Sequence, residues 1–394
     1  MDEQVSVSGN EKHRTLLITL FAGFILSGIA TVIVGPMLPI FKERWMLNDS
    51  QLGLFPMVQF LAALVGTLGS SAIASLWGYR PAIVIGYALT GIGLAGLNAD
   101  SRLLAMVATS AFGLGYGLMT PGTNLFVAEL GGARSASLLN RLNFMWGAGA
   151  MSCSPMIALA LKQNKLQYLL GGFAAFGIAM MLILLVGRFG MERHEEAETG
   201  SVSKPIPGSV GLWVTLAMAV MFFLYVAMET SIGGWAAEFA KRMMNGITSM
   251  TTLAQMFFYA GLALGRLSAP LVLRRWSERN LVLGALLLAA TGSVLLIQSA
   301  TLHVALAALF FAGLGCASIY PTYISWLSKW YGASAKKIGG ALFALASLGG
   351  SAGPLLVGVV STQTGSLRMG LLVPVVSAAV MLSLVLSLRR QTTT

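Results

Sequence analysis

Charged side chains are scarce in this sequence: 10% of its 394 residues are Asp, Glu, Lys or Arg, whereas 56% are hydrophobic. Soluble domains carry about 25% charged residues, so the composition excludes an ordinary soluble protein. The chain also has 46 glycines, which in so apolar a context indicate closely packed helices and not disorder.

Cysteine and histidine are rare as well, with two and three residues. Cys153 and Cys316 fall in different apolar runs, which gives no support for a disulfide framework. The histidines lie in tails, in loops or at the end of an apolar run, so we expect no enzyme activity, cofactor or metal site. The net charge of +11 is spread over short loops, which argues against nucleic acid as a partner.

Apolar runs of about 20 residues, long enough to cross a bilayer, recur along the whole chain. Twelve runs are predicted to span the membrane: 15–40, 51–75, 82–98, 103–128, 136–160, 168–187, 209–240, 249–273, 281–298, 304–328, 338–362 and 369–388. The sequence therefore predicts an all-α membrane protein with twelve transmembrane helices.

Basic residues are unevenly distributed between alternate loops. With a cytoplasmic N-terminus, the inner segments carry 15 Lys and Arg residues and the outer loops carry 8. This bias predicts both termini in the cytoplasm. We expect a multi-pass protein of the cell inner (plasma) membrane, acting as a monomer in the lipid bilayer. The first apolar run has full spanning length, so no removable signal peptide is expected.

The two halves of the chain repeat each other at an offset of 200 residues. "GLGYGLMTP" (113–121) matches "GLGCASIYP" (313–321), and Gly132, Gly149 and Lys42 match Gly332, Gly349 and Arg242. Spans four and ten are thus the same helix in two copies. Pro121 and Pro321 are expected to bend these helices, either for a moving part or only to set helix shape.

The one long hydrophilic interruption lies between spans six and seven and has the composition of a linker. The division is therefore 1–187, an N-terminal six-helix bundle; 188–208, a cytoplasmic linker; and 209–394, a C-terminal six-helix bundle. Two six-helix units joined in this way give a parallel pseudo-two-fold repeat, the plan of the major facilitator fold.

Several stretches resemble the fucose:proton symporter family of that superfamily. They are "TPGTNLFVAELGGARSASLLNRLNFMWGAGAMSCSP" in spans four and five, "YVAMETSIGGWAAEFA" in seven, "FFYAGLALGRL" in eight and "GLGCASIYPTYISW" in ten. The resemblance implies transport of a hexose or similar small polar solute by alternating access, often coupled to protons.

The sequence departs from that family in its N-terminal half. The resemblance implies carboxylates in spans one and four, yet span one has none and Thr120 stands at the corresponding position of span four. The loop "SLWGYRP" keeps Arg80 but lacks the usual Asp. A proton route, if one exists, is therefore not expected in the N-terminal half.

Ionisable residues at membrane depth are costly and are functional candidates by default. Glu229 lies near the middle of span seven, beside a Gly233-Gly234 pair where we expect the helix to unwind. It is the candidate proton carrier, with a structural ion pair as the alternative. Glu238, nearer the outer end, is expected on the surface or at a gate.

Asn140, Asn143 and Gly147 share one face of span five, which we expect to line a central cavity. The neighbouring Arg141 either joins that face or extends to the cytoplasmic surface. Arg80 and Arg266 are assigned to a gate, with helix packing as the alternative for Arg266.

Sugar sites combine amide and hydroxyl groups with aromatic ring faces. The complete set of substrate-binding candidates is Gln59, Asn124, Asn140, Arg141, Asn143, Trp146, Tyr225, Glu229, Trp235, Gln255, Tyr259, Tyr320, Tyr323 and Trp326.

Three functions remain open. The leading one is a secondary transporter for a sugar-like solute, with protons as a second partner. The others are efflux of amphipathic compounds and transport of a small organic anion with Arg141 as its counter-ion. An enzyme or receptor would need a catalytic or metal cluster, which the sequence does not offer.

Overall fold

The computed structural model describes residues 2–187, 211–246 and 249–388. Within these ranges the chain is almost entirely helical. The predicted linker 188–208 lies outside them.

The first six spans are formed by seven helices and one short 3₁₀ turn. The helices are α1 (Asp2–Val32), α2 (Val34–Trp45), α3 (Asp49–Trp77), α4 (Tyr79–Gly96), α5 (Arg102–Gly131), α6 (Ser135–Lys162) and α7 (Leu166–Val186), with the 3₁₀ turn at Gly132–Arg134. Span one is thus two helices, separated at Ile33.

The last six spans are formed by eight helices and a second 3₁₀ turn. The helices are α8 (Leu212–Met244), α9 (Ser249–Val272), α10 (Glu278–Gln298), α11 (Leu302–Cys316), α12 (Ile319–Tyr331), α13 (Ala335–Thr364), α14 (Leu367–Gly370) and α15 (Leu372–Ser387), with the turn at Gly332–Ser334. Span ten is divided into α11 and α12, and span twelve into α14 and α15.

The fold is that of a twelve-span membrane protein of the major facilitator type. Ten spans stand out by length and apolar composition alone. The other two are α4, which is only 18 residues long and starts with Tyr79 and Arg80, and α9, whose apolar run is diluted by Thr, Gln and Arg266. The prediction of the fold class is confirmed.

The expected unwinding at Gly233-Gly234 is wrong, because α8 runs unbroken from Leu212 to Met244. A Cβ built on Gly233 would lie 3.2 Å from the ring of Phe258 and 3.3 Å from the Tyr259 hydroxyl. Gly233 therefore serves close packing of α8 on α9 and not a break. The breaks occur instead at Ile33 and at Ala317–Ser318.

The 200-residue repeat has a clear structural counterpart. Gly132 and Gly332 both take a positive φ, +46° and +49°, and each begins a 3₁₀ turn. A side chain at Gly149 would overlap the Ile25 carbonyl, and one at Gly349 would overlap the Phe223 carbonyl. Small residues allow such close approach of backbones in membranes, so the two copies use the same glycines for the same contacts.

The repeated prolines have different effects. Pro121 lies inside the continuous helix α5. Pro321 instead lies in the first turn of α12, directly after the break in span ten. Proline is tolerated in a first turn because the N–H it lacks has no helical partner there.

By internal packing the chain forms two compact units. One comprises Met1–Ile33 and Leu61–Ala197, and the other comprises Val34–Phe60 and Glu198–Thr394. The segment Val34–Phe60, which is α2 and the first part of α3, therefore packs with the second unit. The division of the sequence into two six-helix bundles, 1–187 and 209–394, remains a prediction. The two packing units have a different boundary, which coincides with the helix break at Ile33.

Candidate functional site

Glu229 lies in a polar group formed by α8, α9 and the break in span ten. It is half-buried and lies one turn after Tyr225 on α8, close enough for its charge to act on that side chain. The buried Tyr225 hydroxyl also lies 3.1 Å from the Cys316 carbonyl oxygen, to which it donates. Cys316 is the last residue of α11, so the hydroxyl satisfies a carbonyl at the helix end.

Arg266 belongs to the same group, because its charge acts on both Tyr225 and Cys316, as does that of Glu229. The sequence analysis assigned Arg266 to a gate or to helix packing and did not associate it with Glu229. Span seven and span eight carry these charges at unrelated sequence positions, so only their packing brings them together.

Four of the predicted aromatic residues come together beside this group. The Tyr225 and Tyr320 rings stack with centroids 5.4 Å apart, and the Tyr323 and Trp326 rings are 5.7 Å apart. Phe222 joins them, 5.5 Å from Tyr320. Tyr323 and Trp326 are buried in the core, whereas Tyr320 is half-buried. Tyr320 therefore offers the accessible ring.

The remaining candidates of the second unit are buried. Gln59, Gln255 and Tyr259 are at most 7% exposed. Gln255 packs against Gly35 of α2. The Trp235 indole donates a hydrogen bond of 3.0 Å to the Pro354 carbonyl, so its polar atom already has a partner in the fold.

In the first unit, Asn124 and Trp146 lie in a network of hydroxyl groups. The Ser27 and Thr120 hydroxyls are 2.8 Å apart, and the Trp146 indole donates to Thr31 across 3.2 Å. Asn124 donates to the Thr120 carbonyl at 2.9 Å. Sequence reasoning missed Ser27 and Thr31; their i, i+4 spacing in an otherwise apolar span is the signal that could have identified them.

Asn140, Arg141 and Asn143 are all exposed on α6, while Leu142 between them is fully buried. The Asn143 amide nitrogen donates to the Leu139 carbonyl of its own helix at 2.9 Å. The polar face is therefore turned away from the packed core of its unit, and its place along a cavity remains a prediction.

Arg80 binds the end of a neighbouring helix. Its guanidinium donates to the carbonyls of Leu184, Leu185 and Gly187 at 3.0, 2.5 and 3.0 Å. Cations at a helix C-terminus satisfy free carbonyls and complement the helix dipole. This arrangement ties α4 to α7, and a gating role for Arg80 remains a prediction.

The interpretation of Glu238 as a surface residue is wrong. Its side chain is fully buried, and its carboxylate lies 2.9 Å from Arg242 and 3.2 Å from Lys42. Asp49, also buried, lies 2.8 Å from Lys42 and 2.5 Å from Arg242. A buried carboxylate requires such partners, because transfer of an unpaired charge out of water is very costly.

Comparison with known proteins places the chain in a family of transporters. The model of the Major Facilitator Superfamily matches residues 20–329. A glucose/galactose transporter of Brucella abortus biovar 1 (strain 9-941) is 22% identical over 396 residues, 94% of this chain and 93% of that protein. The L-fucose-proton symporter of Escherichia coli (strain K12) is 22% identical over 401 residues, 91% of this chain and 89% of the symporter.

Among solved structures, a bacterial homolog of the human lysosomal transporter Spinster has the same fold. It was crystallised in an inward-facing and occupied conformation. The TM-score is 0.76 at 14% identity, covering 96% of this chain and 97% of the homolog.

Proposed function

The chain belongs to the Major Facilitator Superfamily, and we propose that, as a transporter of that family, it moves a sugar or sugar-like solute across the membrane by alternating access. The glucose/galactose and L-fucose relatives support this solute class. We place the protein in the cell inner membrane with both termini in the cytoplasm, on the strength of its basic-residue bias.

The observation that carries the proposal is the group of Tyr225, Glu229 and Tyr320. A sugar presents hydroxyl groups on its edge and C–H groups on its faces. The Glu229 carboxylate can accept hydrogen bonds from vicinal hydroxyls, and the half-buried Tyr320 ring can cover a C–H face. Carboxylate and ring are both near Tyr225, because the Glu229 charge acts on the Tyr225 side chain and the Tyr320 ring stacks on the Tyr225 ring.

The first unit supports a neutral solute. Thr120, at the span-four position where the resemblance implies a carboxylate, forms a hydroxyl–hydroxyl hydrogen bond with Ser27 of span one. Hydroxyl and amide groups recognise polar solutes without requiring an opposite charge. This leaves Glu229 as our candidate proton carrier.

The experiment is counterflow in proteoliposomes with a panel of labelled hexoses, followed by uptake against a gradient. Glu229→Gln keeps the shape of the side chain but cannot titrate. We expect it to abolish accumulation and to preserve exchange, because exchange needs no net proton movement. The matched control is Glu278→Gln, which removes a carboxylate that pairs with Lys329 at 2.9 Å at the start of α10; it should accumulate solute normally.

Two results would contradict the coupling. Accumulation by Glu229→Gln would show that another group carries the proton. A parent protein that exchanges hexose but neither accumulates it nor acidifies the lumen would be a uniporter, with Glu229 left as a binding residue.

An organic anion is the second candidate solute, because Arg141 is exposed and has no ion pair within the described part of the chain. Labelled carboxylates in the same panel test it: their exchange should then be lost in Arg141→Gln. The cluster of aromatic rings around Tyr320 is also suited to amphipathic compounds, so labelled lipophilic cations complete the panel.

A further inference from the structure

The turn between α9 and α10 carries three arginines that helix packing does not use. Arg274 and Arg275 are exposed in the turn itself, and Arg279 is half-buried in the first turn of α10. Within the part of the chain that the structure describes, none of the three forms an ion pair. We call these three residues the arginine turn.

Glu278, the carboxylate next to Arg279 in the sequence, is committed to another helix. It accepts hydrogen bonds of 2.9 Å from the Ser325 hydroxyl and from the Lys329 ammonium group, both on α12. Its negative charge is therefore offset by Lys329, and the arginine turn keeps its positive charge.

The Arg279 guanidinium lacks an acceptor. Its Nε and Nη2 atoms are buried and have no hydrogen-bond partner among the described residues. The other copy of the repeat does supply a partner, because Tyr79, 200 residues earlier, donates to the Glu129 carboxylate. The residue that corresponds to Glu129 is Lys329, a cation that cannot accept a hydrogen bond. Buried donors without acceptors are costly, so we expect Arg279 to find an acceptor outside the protein.

The surface beside the arginine turn is aromatic and apolar. Trp276 is 52% exposed, and its indole lies over α10, 3.1 Å from the Cβ that a side chain at Gly284 would add. Leu267 and Leu271, one turn apart at the end of α9, are 71% and 61% exposed. Tryptophan is enriched where a membrane protein passes from headgroups to acyl chains. Positive charge and apolar surface therefore meet at the membrane boundary.

We propose that the arginine turn binds the phosphate of an anionic phospholipid, whose acyl chains lie along Leu267 and Leu271. A guanidinium group matches a phosphate with two parallel hydrogen bonds. A soluble anion would make no use of the leucine surface. A zwitterionic phospholipid brings a cation of its own, which the three arginines repel.

The corresponding turn of the first unit is not equipped for the same lipid. Between α3 and α4 it has an exposed tryptophan, Trp77, but its one arginine is Arg80. That guanidinium already donates to three carbonyl groups at the end of α7. The two copies therefore keep the aromatic residue at the boundary, and only the second has free arginines.

The test is native mass spectrometry of the full chain in detergent, titrated with phosphatidylglycerol or with phosphatidylcholine. Each basic residue near an anionic lipid surface contributes about fivefold to binding. We therefore expect Arg274→Gln with Arg275→Gln to lower the affinity for phosphatidylglycerol about tenfold or more. The matched control is Lys162→Gln with Lys165→Gln, which removes two exposed charges beside the α6–α7 turn and should bind as the parent does.

A fluorescence measurement locates the lipid without changing any arginine. The protein is placed in phosphatidylcholine vesicles that contain a minor fraction of brominated phosphatidylglycerol or of brominated phosphatidylcholine. The emission that Trp276→Phe removes should be quenched more strongly by the anionic lipid. The emission that Trp77→Phe removes is the control, and the two lipids should quench it equally.

Three outcomes would overturn the proposal. Equal loss of phosphatidylglycerol in the arginine and lysine variants would show an effect of total charge alone. Equal affinity of the parent for the two phospholipids would remove the role of the headgroup charge. Displacement of phosphatidylglycerol by an equal concentration of inorganic phosphate would make the ligand a soluble anion.

Discussion

The repeated glycine contacts allow a sharp test of what holds each unit together. A Cβ added at Gly149 would overlap the Ile25 carbonyl oxygen and lie only 3.1 Å from the Ile25 Cα, against an ordinary contact of about 3.5–4.0 Å. Both obstacles are backbone atoms, so α1 and α6 must move apart. Overpacking of this kind costs about 1–3 kcal/mol. For a unit of this size that corresponds to a loss of roughly 2–12 °C in the midpoint of thermal unfolding.

The same helix supplies the control. Gly147, two residues away, has open space where its side chain would be, so Gly147→Ala should leave the midpoint unchanged or raise it slightly. Unfolding can be followed in detergent with a fluorogenic thiol reagent, because Cys153 on α6 is buried until the unit opens. Equal midpoints for Gly149→Ala and the parent, or equal losses at both positions, would refute the reasoning.

Two further predictions concern Tyr225 and the topology. Tyr225→Phe should lower the midpoint of thermal unfolding, because it leaves the buried Cys316 carbonyl without this donor, a loss of about 1–3 kcal/mol. The control is Tyr331→Phe, which removes a hydroxyl bonded to the half-exposed Thr215. Equal midpoints for the two variants would count against the prediction. An impermeant thiol reagent applied outside the cell should label a cysteine at Gln163 and spare one at Ser201, and the reverse pattern would invert the topology.

Part of the candidate site was predictable from residue type. Tyr225, Tyr320, Tyr323 and Trp326 were identified as aromatic candidates, and the structure brings them together. Which ring stays accessible was not predictable, because the burial of Tyr323 depends on neighbours from other helices, such as Phe222. The Trp235 bond to Pro354 joins residues 119 positions apart, so no local pattern signals it.

The sequence by itself determined the class, the twelve spans and the repeat. A bilayer imposes a length and an apolar composition on each span separately, so both can be counted in a single sequence. The glycine pairs 132/332 and 149/349 were also visible, because a positive φ or a close backbone contact restricts the residue at that one position.

Only the tertiary structure decided where the charges meet and where the helices break. Glu238 was interpreted as a surface residue because it lies near the end of a span, yet its partner Lys42 lies almost 200 residues away in the sequence. Arg80 and Arg266 likewise gained their neighbours from other helices. The Gly233-Gly234 pair suggested unwinding, but α9 packs against it and the helix continues. The energy of a charge or of a glycine in a membrane depends on what lies opposite it, and that is fixed by packing between helices.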